Sequence, residues 1–404
     1  MNILIIVDDY LPSSIKVTAK MMHELALELK QLGNEVLVIT PDSYRRAEKS
    51  LDKIEIFEGI SVLRFPSGRL KNVSKIIRLF NEFLLPFRAW MYGKYKFKDF
   101  KMDLIIYYSP SIFWGWLVYK LKKLTKTKSY LILRDFFPQW AIDNGIISKK
   151  SLITKLLLLV ENWNYRQADT IGLMSQKNLE WFCRYHNYDG NAKLEVLFNW
   201  VTDKSFSFQV GVDKSNYRKQ LNLDEKVVFF YGGNIGHAQD MSQVLRLAKS
   251  LENYASAHIV LVGAGDEVNI VREFIRESNI SNLTLLDPVT QEEYAKMLSE
   301  FDVGLFFLNY NHSTHNFPGK ILSYLVQGLP ILGSVNPGND LKDIIEEANA
   351  GYVVISGDDV GLYECAKKLL EKELRSSISV NAKKLQKSKF DLSVAAKQII
   401  KEVI

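Results

Sequence analysis

The sequence has few of the residues that build covalent or metal-based frameworks. Its 404 residues include two cysteines, Cys183 and Cys365, which lie far apart and form no CxxC motif. This argues against a disulfide framework or a structural zinc site, and the usage is typical of a reducing cytoplasm. The six histidines show no metal-ligand spacing. We therefore expect neither a bound metal nor a cofactor.

The sequence also lacks segments that cross a membrane or direct secretion. No run of 18 uninterrupted apolar residues occurs. The apolar run at the N-terminus follows no basic leader and ends at Asp8 and Asp9, unlike a signal peptide. A P-loop, GxSxG, HExxH and readable nucleic-acid motifs are absent as well. We expect a protein that is soluble or peripheral to a membrane and that does not bind nucleic acid.

What is present is an ordinary globular composition in a chain long enough for two domains. Apolar residues make up 47% and aromatic residues 12% of the chain, which is ample for packed cores. Two domains of about 200 residues each are the natural division of this length. The formal net charge of +6 favours anionic partners without identifying them.

Short Ile/Leu/Val runs alternate with helical patterns along the chain, and this rhythm occurs in two series. The first series ends near Asn199 and is followed by a polar segment at 204–222, after which the rhythm restarts at Val227. Such runs predict parallel sheets covered on both faces. The sequence therefore predicts two doubly wound, Rossmann-like α/β domains facing across a cleft, 1–202 and 203–389. We expect the last helix, 390–404, to pack back on the first domain.

The segment from Arg69 to Lys101 breaks this rhythm because it is both basic and aromatic. It has nine Lys/Arg and two Asp/Glu, interleaved with eight aromatic residues. Such amphipathic stretches lie on anionic membrane surfaces, so we expect 69–101 to contact one. Aromatic residues fall on more than one helical face, however. The alternative is a helix packed on the sheet with solvated lysines.

The most informative stretch is Pro318-Gly319-Lys320, which opens a helical pattern ending at Gly328. Free backbone N–H groups and the helix dipole at such a start form a site for an anion. A lysine there is slightly disfavoured by the dipole unless an anion is bound. We interpret Lys320 as a diphosphate contact. The alternative is an exposed lysine on the first turn of a helix.

Three loops after predicted strands of the second domain are further candidates for ligand contacts. Gly233, Asn234 and Gly236 lie in a Gly-Gly-x-x-Gly turn, which is not the G-x-G-x-x-G dinucleotide fingerprint. Glycines of this kind let a backbone approach a phosphate. The loop containing Gly265 and the segment ending at Val289 are of the same class. Each of the three is equally compatible with a plain turn.

In the first domain, Arg134 and Asp135 directly follow the apolar strand pattern 130–133. Charged residues at the carboxyl end of a strand can orient or deprotonate an acceptor hydroxyl. The alternative is an Arg–Asp pair that holds the loop.

Together these motifs resemble those of family 4 glycosyltransferases of the GT-B fold. Five features match in order: the loop from Asp8 to Ser14, Arg134-Asp135-Phe136-Phe137-Pro138, the hinge at Asn199, Gly233-Asn234-Ile235-Gly236, and the helix after Pro318-Gly319-Lys320. Arg-Asp-x-Phe-Pro-x-Trp-Ala and Phe-Pro-Gly-Lys-x-Leu-Ser-Tyr are similar to motifs of the N-acetyl-L-fucosaminyl (L-fucosamine) transferases of O-antigen and capsule assembly.

The resemblance implies a retaining transfer from a UDP-sugar, with no metal required, to a polyprenyl-diphosphate-linked acceptor. The UDP-sugar is then a substrate bound by the C-terminal domain, while the N-terminal domain binds the acceptor. The implied catalytic residues are Lys320, Asp135 and Arg134. The implied acceptor-side residues are Ser13, Ser14 and Lys16. The implied donor-binding residues are Gly233, Asn234, Gly236, His237, Gly265, Val289, His315, Pro318, Gly319 and Ser323.

The sequence departs from the family pattern at several of these positions. His315 and Ser323 stand where the family has paired glutamates. Asn234 and Gln239 replace its basic pair, and Arg134 replaces its acceptor-side histidine. We expect Lys320 to act in place of the missing cations. A serine at 323 binds a ribose hydroxyl more weakly than a carboxylate does.

Two alternatives to a glycosyltransferase share this fold: a UDP-sugar 2-epimerase, and a non-catalytic protein that only binds nucleotide sugars. The missing glutamates favour the second of these. For a glycosyltransferase with a lipid-linked acceptor, the expected location is the cytoplasmic face of the inner membrane.

Overall fold

The computed structural model describes residues 1–14, 16–42, 54–70, 73–143, 145–186, 190–202, 217–311 and 317–401. Contacts within the chain divide it into two compact units. Unit 1 comprises Met1–Phe198 and Leu392–Ile404, and unit 2 comprises Asn199–Asp391. Within the described residues, no helix is long and apolar enough to cross a lipid bilayer.

Unit 1 is built on one eight-stranded sheet. Its strands are β1 Asn2–Ile6, β2 Glu35–Asp42, β3 Ile54–Phe57, β4 Ile60–Pro66, β5 Leu104–Tyr108, β6 Lys128–Leu133, β7 Thr170–Leu173 and β8 Lys193–Val196. Its first helices are α1 Val17–Gln31, α2 Lys75–Phe100, α3 Gly115–Thr125, α4 Gln139–Asp143, α5 Leu152–Tyr165 and α6 Gln176–Tyr185.

The strand order of unit 1 is β3-β4-β2-β1-β5-β6-β7-β8. All neighbours pair in parallel except β3 and β4, which are antiparallel. The central strand β1 is fully buried from Ile3 to Ile6, because helices cover both faces of the sheet. Since the chain runs from β1 to β2 on one side and to β5 on the other, the topological switch point lies between β1 and β5.

Unit 2 contains a six-stranded parallel sheet in the order β11-β10-β9-β12-β13-β14. The strands are β9 Val227–Asn234, β10 Ala257–Ala264, β11 Leu283–Leu286, β12 Val303–Phe307, β13 Ile331–Val335 and β14 Gly351–Ile355. The helices are α7 Tyr217–Gln220, α8 Ser242–Ser250, α9 Val268–Ser278, α10 Gln291–Glu300, α11 Lys320–Gln327, α12 Leu341–Glu347, α13 Asp359–Lys368 and α14 Lys372–Leu385. The switch point here lies between β9 and β12.

The final helix, α15 Leu392–Lys401, returns to unit 1 and packs against α1. Gln398 on α15 donates hydrogen bonds to Glu195 and to the carbonyl of Val196, 2.9 and 2.8 Å long. The two chain segments that leave and re-enter unit 1 are joined within unit 2, where Val201 forms a β-bridge with Asp391.

The prediction of two doubly wound α/β domains is confirmed by the two sheets, and two details of it are wrong. The antiparallel strand β3 was not expected, since its four residues are too few for a clear pattern. The helical pattern over 360–373 predicts a single helix, whereas α13 ends at Lys368 and α14 begins at Lys372. The boundary near residue 202 and the roles of the two domains stay predictions.

Candidate active site

The switch point of unit 2 brings Lys320 next to Gly233. Gly233 is the second-to-last residue of β9. Lys320 is the first residue of α11, which follows β12 in the chain. A Cβ placed on Gly233 would stand 3.7 Å from Cε and 3.8 Å from Nζ of Lys320. Ligands of doubly wound sheets bind outside the carboxyl ends of the strands at this point. Two residues predicted from separate motifs therefore share one site.

The Lys320 side chain is half-buried along its stem, but its Nζ is enclosed. The Nζ stands 3.3 Å from the centre of the Tyr231 ring, and no hydrogen-bond acceptor among the described residues reaches it. Burial lowers the pKa of this ammonium well below its usual value. A cation over a tyrosine face gains about 0.5–2 kcal/mol, which does not replace the lost hydration of a buried charge. The group is therefore suited to receive an anion.

The helix N-terminus beside Lys320 offers fewer free donors than the sequence implied. The first turn of α11 is tight, since the N–H of Ile321 donates to the carbonyl of Pro318 (3.1 Å) and that of Leu322 to Gly319 (3.2 Å). The N–H groups of Gly319 and Lys320 have no acceptor in the described parts of the chain. Gly319 is exposed, and a Cβ added to it would meet nothing within 4 Å. The open space at this end of α11 is thus lined by two donors and the Lys320 stem.

The hydroxyl of Tyr324 holds α11 against the sheet. The Tyr324 hydroxyl donates to the carbonyl of Leu305 (3.0 Å) and accepts from the N–H of Gly232 (3.3 Å), which ties α11 to both β12 and β9. Because both strands flank the switch point, this buried hydroxyl positions Lys320 relative to Gly233. Sequence reasoning did not single out Tyr324, although an aromatic residue four positions after the lysine faces the same side of the helix.

Ser323 makes its hydrogen bonds inside unit 2. It is buried, its Oγ donates to the carbonyl of Lys320 (2.6 Å), and the Tyr294 hydroxyl lies 3.2 Å away. The predicted ribose contact at Ser323 would have to compete with these bonds and stays a prediction. His315, the other residue at a family glutamate position, lies outside the described residues.

The glycine loops pack on each other as well as facing the switch point. A Cβ on Gly265 would overlap the carbonyl of Ile235, and one on Gly263 would overlap the carbonyl of Gly233. Gly236 has no room either, because Asp266 and Asn234 lie against it. Close backbone approach explains Gly263 and Gly265 without a ligand, and the neighbouring side chains explain Gly236. Gly233, by contrast, has a φ of +124°, and a Cβ there would meet only the Lys320 side chain at ordinary contact distance, so backbone packing does not explain this glycine.

The remaining donor-side candidates lie at the rim of this site. Asn234 donates to Gln239 (2.6 Å), and the exposed ring of His237 lies 3.6 Å from Glu267. Val289 is half-buried in the loop between β11 and α10. No observation in unit 2 assigns a ligand contact to any of the three.

In unit 1, the predicted residues Arg134 and Asp135 follow β6 and differ in their surroundings. Arg134 is buried, donates to the carbonyls of Phe198 (3.3 Å) and Leu133 (3.4 Å), and has its pKa lowered to about 10 by burial. Asp135 is exposed at the surface, but partial burial of its carboxylate raises its pKa. The positive charge of Arg134 lowers this pKa and offsets the rise only in part. Arg134 thus braces the loop, and Asp135 is the member of the pair that a substrate can reach.

A residue that sequence reasoning did not select stands at the switch point of unit 1. Asp8 follows β1, and one of its carboxylate oxygens accepts a 2.7 Å hydrogen bond from the indole N–H of Trp114. Burial, with a contribution from the charge of Glu82, raises the pKa of Asp8 to about 7. Tyr108, at the end of β5, lies within electrostatic range of Asp8, Arg134 and Asp135. Asp8, Tyr108, Arg134 and Asp135 thus lie at the carboxyl ends of three neighbouring strands, β1, β5 and β6.

The acceptor-side candidates lie on the loop after Asp8. Ser14 is buried and accepts from the N–H of Lys16 (3.2 Å), while the Ser13 Oγ donates to the carbonyl of Tyr10 (3.3 Å). Lys16 is exposed and pairs with Asp9 at 3.0 Å. Their role in binding an acceptor stays a prediction. In the part of the chain that the structure describes, no group of three His, Cys, Asp or Glu side chains is arranged to hold a metal ion.

Two parallel α/β units, each with its ligand end at a topological switch point, define the GT-B fold, and solved structures are similar to this chain over nearly its whole length. Sucrose-phosphate synthase from Thermosynechococcus elongatus has a TM-score of 0.71 at 16% identity, covering 99% of this chain and 97% of its own. HepE of Anabaena, in complex with UDP, has a TM-score of 0.67 at 16% identity, covering 100% and 99%. WaaG, a glycosyltransferase involved in lipopolysaccharide biosynthesis, has a TM-score of 0.64 at 14% identity, covering 98% of each chain. At these identities the similarity establishes the fold alone.

Sequence comparison then identifies unit 2 more closely. Residues 213–385 match the family described as Glycosyl transferases group 1, so unit 2 contains a glycosyltransferase group 1 domain. "Probable glycosyltransferase WbjE" of Pseudomonas aeruginosa is 24% identical over 264 residues, which are 65% of this chain and 64% of that protein. WcaI of Escherichia coli (strain K12), whose name refers to colanic acid biosynthesis, is 22% identical over 236 residues, 57% of each chain. The chain thus spans less than two thirds of the length of these curated relatives.

Proposed function

We propose that the protein is a retaining glycosyltransferase that takes a sugar from a UDP-sugar whose diphosphate binds beside Lys320. The observation that carries this proposal is the enclosed Lys320 Nζ at the β9/β12 switch point, which has a tyrosine face but no acceptor among the described residues. The bond between the anomeric carbon and the diphosphate breaks, and a bond to an acceptor hydroxyl forms. UDP leaves with the added negative charge, which a preorganised cation stabilises.

The nature of the donor is supported by the fold neighbours and by motif resemblance. HepE was crystallised with UDP and with UDP-glucose. The motifs around Arg134 and Lys320 resemble those of N-acetyl-L-fucosaminyl transferases, and we take N-acetyl-L-fucosamine as the transferred sugar. Lys320, with two N–H groups at the start of α11 that donate to no described residue, supplies the positive charge for a reaction of family 4 type that needs no metal.

The acceptor we propose is a polyprenyl-diphosphate-linked oligosaccharide of O-antigen or capsule synthesis, at the cytoplasmic face of the inner membrane. WcaI, whose name refers to colanic acid biosynthesis, and WaaG, described as involved in lipopolysaccharide biosynthesis, support this class. The segment 69–101 supports a membrane contact, because α2 exposes large apolar side chains, among them Phe80, Met91 and Tyr95, beside its lysines. Asp8 and Asp135 are the candidate groups of unit 1 for accepting the proton of the attacking hydroxyl.

The direct test is a panel of UDP-sugars, including UDP-N-acetyl-L-fucosamine, against lipid-linked acceptors extracted from membranes. We expect transfer from one donor with retention at the anomeric carbon, and equal rates with and without EDTA. Conversion of a donor to its epimer without acceptor would instead identify a UDP-sugar 2-epimerase. Failure to bind UDP or any UDP-sugar in calorimetry would overturn the proposal and leave no role for the site.

The role of Lys320 is tested by Lys320→Ala against a matched control, Lys372→Ala, since Lys372 is an exposed lysine that also opens a helix. We expect Lys320→Ala to reduce kcat about 100- to 1000-fold, as for loss of one transition-state contact, and to weaken UDP binding. Lys372→Ala should leave both unchanged. Near-normal turnover in Lys320→Ala would remove Lys320 from the mechanism.

A further inference from the structure

Helix α5 leaves a row of large apolar side chains in solvent. Leu152, Leu156 and Leu159 are 83%, 59% and 66% exposed and share one face of the helix, four and three residues apart. Ile153 and Trp163 extend the row. The opposite face of α5 packs inside unit 1, where Leu157, Glu161 and Tyr165 are buried. A run of exposed leucines of this kind is rare on a monomer surface unless something covers it.

The exposed face of α5 is joined to that of α2 by aromatic residues of α3. Phe87 of α2 stacks near Trp116 of α3, with ring centres 4.4 Å apart, and Tyr119 of α3 lies 6.2 Å from Trp163 of α5. Beneath them, Phe113 and Leu157 form one buried cluster. We call the following set the three-helix surface: Ile76, Phe80, Phe83, Phe87 and Met91 of α2, Trp116 and Tyr119 of α3, and Leu152, Leu156, Leu159 and Trp163 of α5.

Most of the charges around the three-helix surface are positive, and Glu82, the acid on this part of α2, is paired with Arg78 at 2.8 Å. On α3, Lys120 and Lys123 lie over the rings of Trp116 and Tyr119, at 5.5 and 4.7 Å from the ring centres. Lys149 and Lys150 lie just before α5, and Lys155 lies in its first turn. The one acid on α5, Glu161, is buried and paired with His186 at 3.1 Å, so it does not offset these lysines. Lysines that pack against aromatic rings at a protein surface are typical of a lipid–water interface.

We propose that α5 completes a membrane-docking surface with α2 and α3, and that this surface sits on an anionic phospholipid bilayer. The apolar row supplies burial at the acyl boundary, and the lysines supply attraction to the headgroups. This combination favours lipid over a protein partner, because a bilayer satisfies both the apolar area and the unbalanced positive charge. The membrane contact is argued from exposure and charge alone. Its role, to bring the enzyme to a lipid-linked acceptor, rests on the proposed function.

The test is vesicle flotation of the full-length protein, without donor, on phosphatidylethanolamine vesicles with and without phosphatidylglycerol. The variant pair Leu156→Gln/Leu159→Gln removes the centre of the α5 row at exposed helical positions, where glutamine keeps helix propensity. The matched control is Ile270→Gln/Val360→Gln, which changes two exposed apolar residues of unit 2. Thermal unfolding verifies that all three proteins are folded.

We expect the intact protein and the control to float with the anionic vesicles, and the α5 variant to bind about tenfold more weakly or worse. Flotation of the α5 variant equal to that of the intact protein would overturn the inference. So would an intact protein that ignores the vesicles and self-associates through this surface in sedimentation. Transfer to an acceptor without a lipid tail should survive in the α5 variant. Loss of transfer in every form with flotation intact would count against the proposed function instead.

Discussion

Burial acts in opposite directions on the two charged side chains at the switch points. It lowers the pKa of Lys320 in unit 2 and raises that of Asp8 in unit 1, so each group is held closer to its neutral form. Both effects cost stability in the free protein. Groups with shifted pKa values are common at functional sites, where a bound substrate interacts with the charge that is unfavourable in the free protein.

For Lys320, this cost predicts a variant that is more stable and less active. Lys320→Met keeps the length of the side chain and removes a buried ammonium, so we expect the free energy of unfolding at pH 7 to rise by about 1 kcal/mol. Urea denaturation of the ligand-free protein measures it. UDP should protect the parent protein against unfolding more than it protects the variant. A clearly destabilised Lys320→Met would mean that the lysine holds unit 2 together.

For Asp8, the raised pKa predicts two pH dependences with known sign. Between the ordinary value of 3.8 and about 7, the folded state holds the Asp8 proton more tightly than the unfolded state, so stability falls as pH rises through this window. Asp8→Asn keeps the Trp114 hydrogen bond and removes the titration. The Tm of Asp8→Asn minus that of the parent protein should therefore increase from pH 4 to 7 and stay constant above pH 7.

If Asp8 also accepts the acceptor's proton, kcat/KM of the parent protein should rise with pH up to about 7. That limb should be absent in Asp8→Asn. A variant that keeps the parent pH–rate profile would confine Asp8 to a structural role. The sequence hid this residue, because an acid after an apolar strand is easily taken for the end of the strand. The raised pKa comes mainly from burial in the folded unit, with a contribution from the charge of Glu82, and the hydrogen bond from Trp114 opposes it.

At the scale of elements, the glycines around β9, β10 and α11 divide into those that the backbone needs and those that leave space. Gly263 has a φ of +155° and abuts the carbonyl of Gly233, whereas Gly319 has a helical φ of −58° and open space. An alanine is therefore strained at the first position and fits at the second.

Gly319→Ala should thus raise the free energy of unfolding by about 0.4–1 kcal/mol, because alanine lowers the entropy of the unfolded chain. The same variant should bind the donor more weakly, because its methyl group enters the space assigned to the diphosphate. Gly263→Ala should destabilise unit 2 by about 1–3 kcal/mol. Denaturant unfolding and UDP calorimetry on both variants separate the two effects. Unchanged UDP affinity in Gly319→Ala would move the diphosphate away from this end of α11.

The elements were also the level at which sequence reasoning succeeded. Apolar runs predict strands at 104–108, 283–286 and 303–307, and these are the bounds of β5, β11 and β12. Helical patterns with glycine or capping signals predict helices at 291–300, 320–327 and 341–347, and these are the bounds of α10, α11 and α12. Strand β3 and the break between α13 and α14 were missed because local sequence there is ambiguous. The exposed row on α5 was missed for another reason: a Leu-rich run does not reveal which face the fold will cover.

At the scale of the whole molecule, unit 1 is discontinuous in sequence, because α15 belongs to it. Leu392, Ala395, Ala396, Ile399 and Ile400 of α15 are buried in unit 1. Burying an isoleucine side chain contributes about 1.5–3 kcal/mol, so α15 as a whole contributes a substantial part of the 5–15 kcal/mol typical of a folded protein.

A chain ending at Asp391 should therefore lose stability in unit 1 and keep it in unit 2. Hydrogen exchange followed by mass spectrometry reads the units separately: peptides of α1, β1 and β8 should exchange faster, and those of β9 and β10 should not change. A chain ending at Lys401 keeps α15 and serves as the control. Uniform exchange in both truncated chains would show that α15 is dispensable.

The placement of α15 has a consequence for how the protein is made. The ribosome completes the sheet of unit 1 first, but the helix that covers α1 emerges only after all of Asn199–Asp391. At about 5–20 residues per second, the nascent unit 1 waits roughly 10–40 s with that apolar face open. During this interval the growing chain is a natural client for ribosome-associated chaperones, and unit 2 is free to finish folding before unit 1 does.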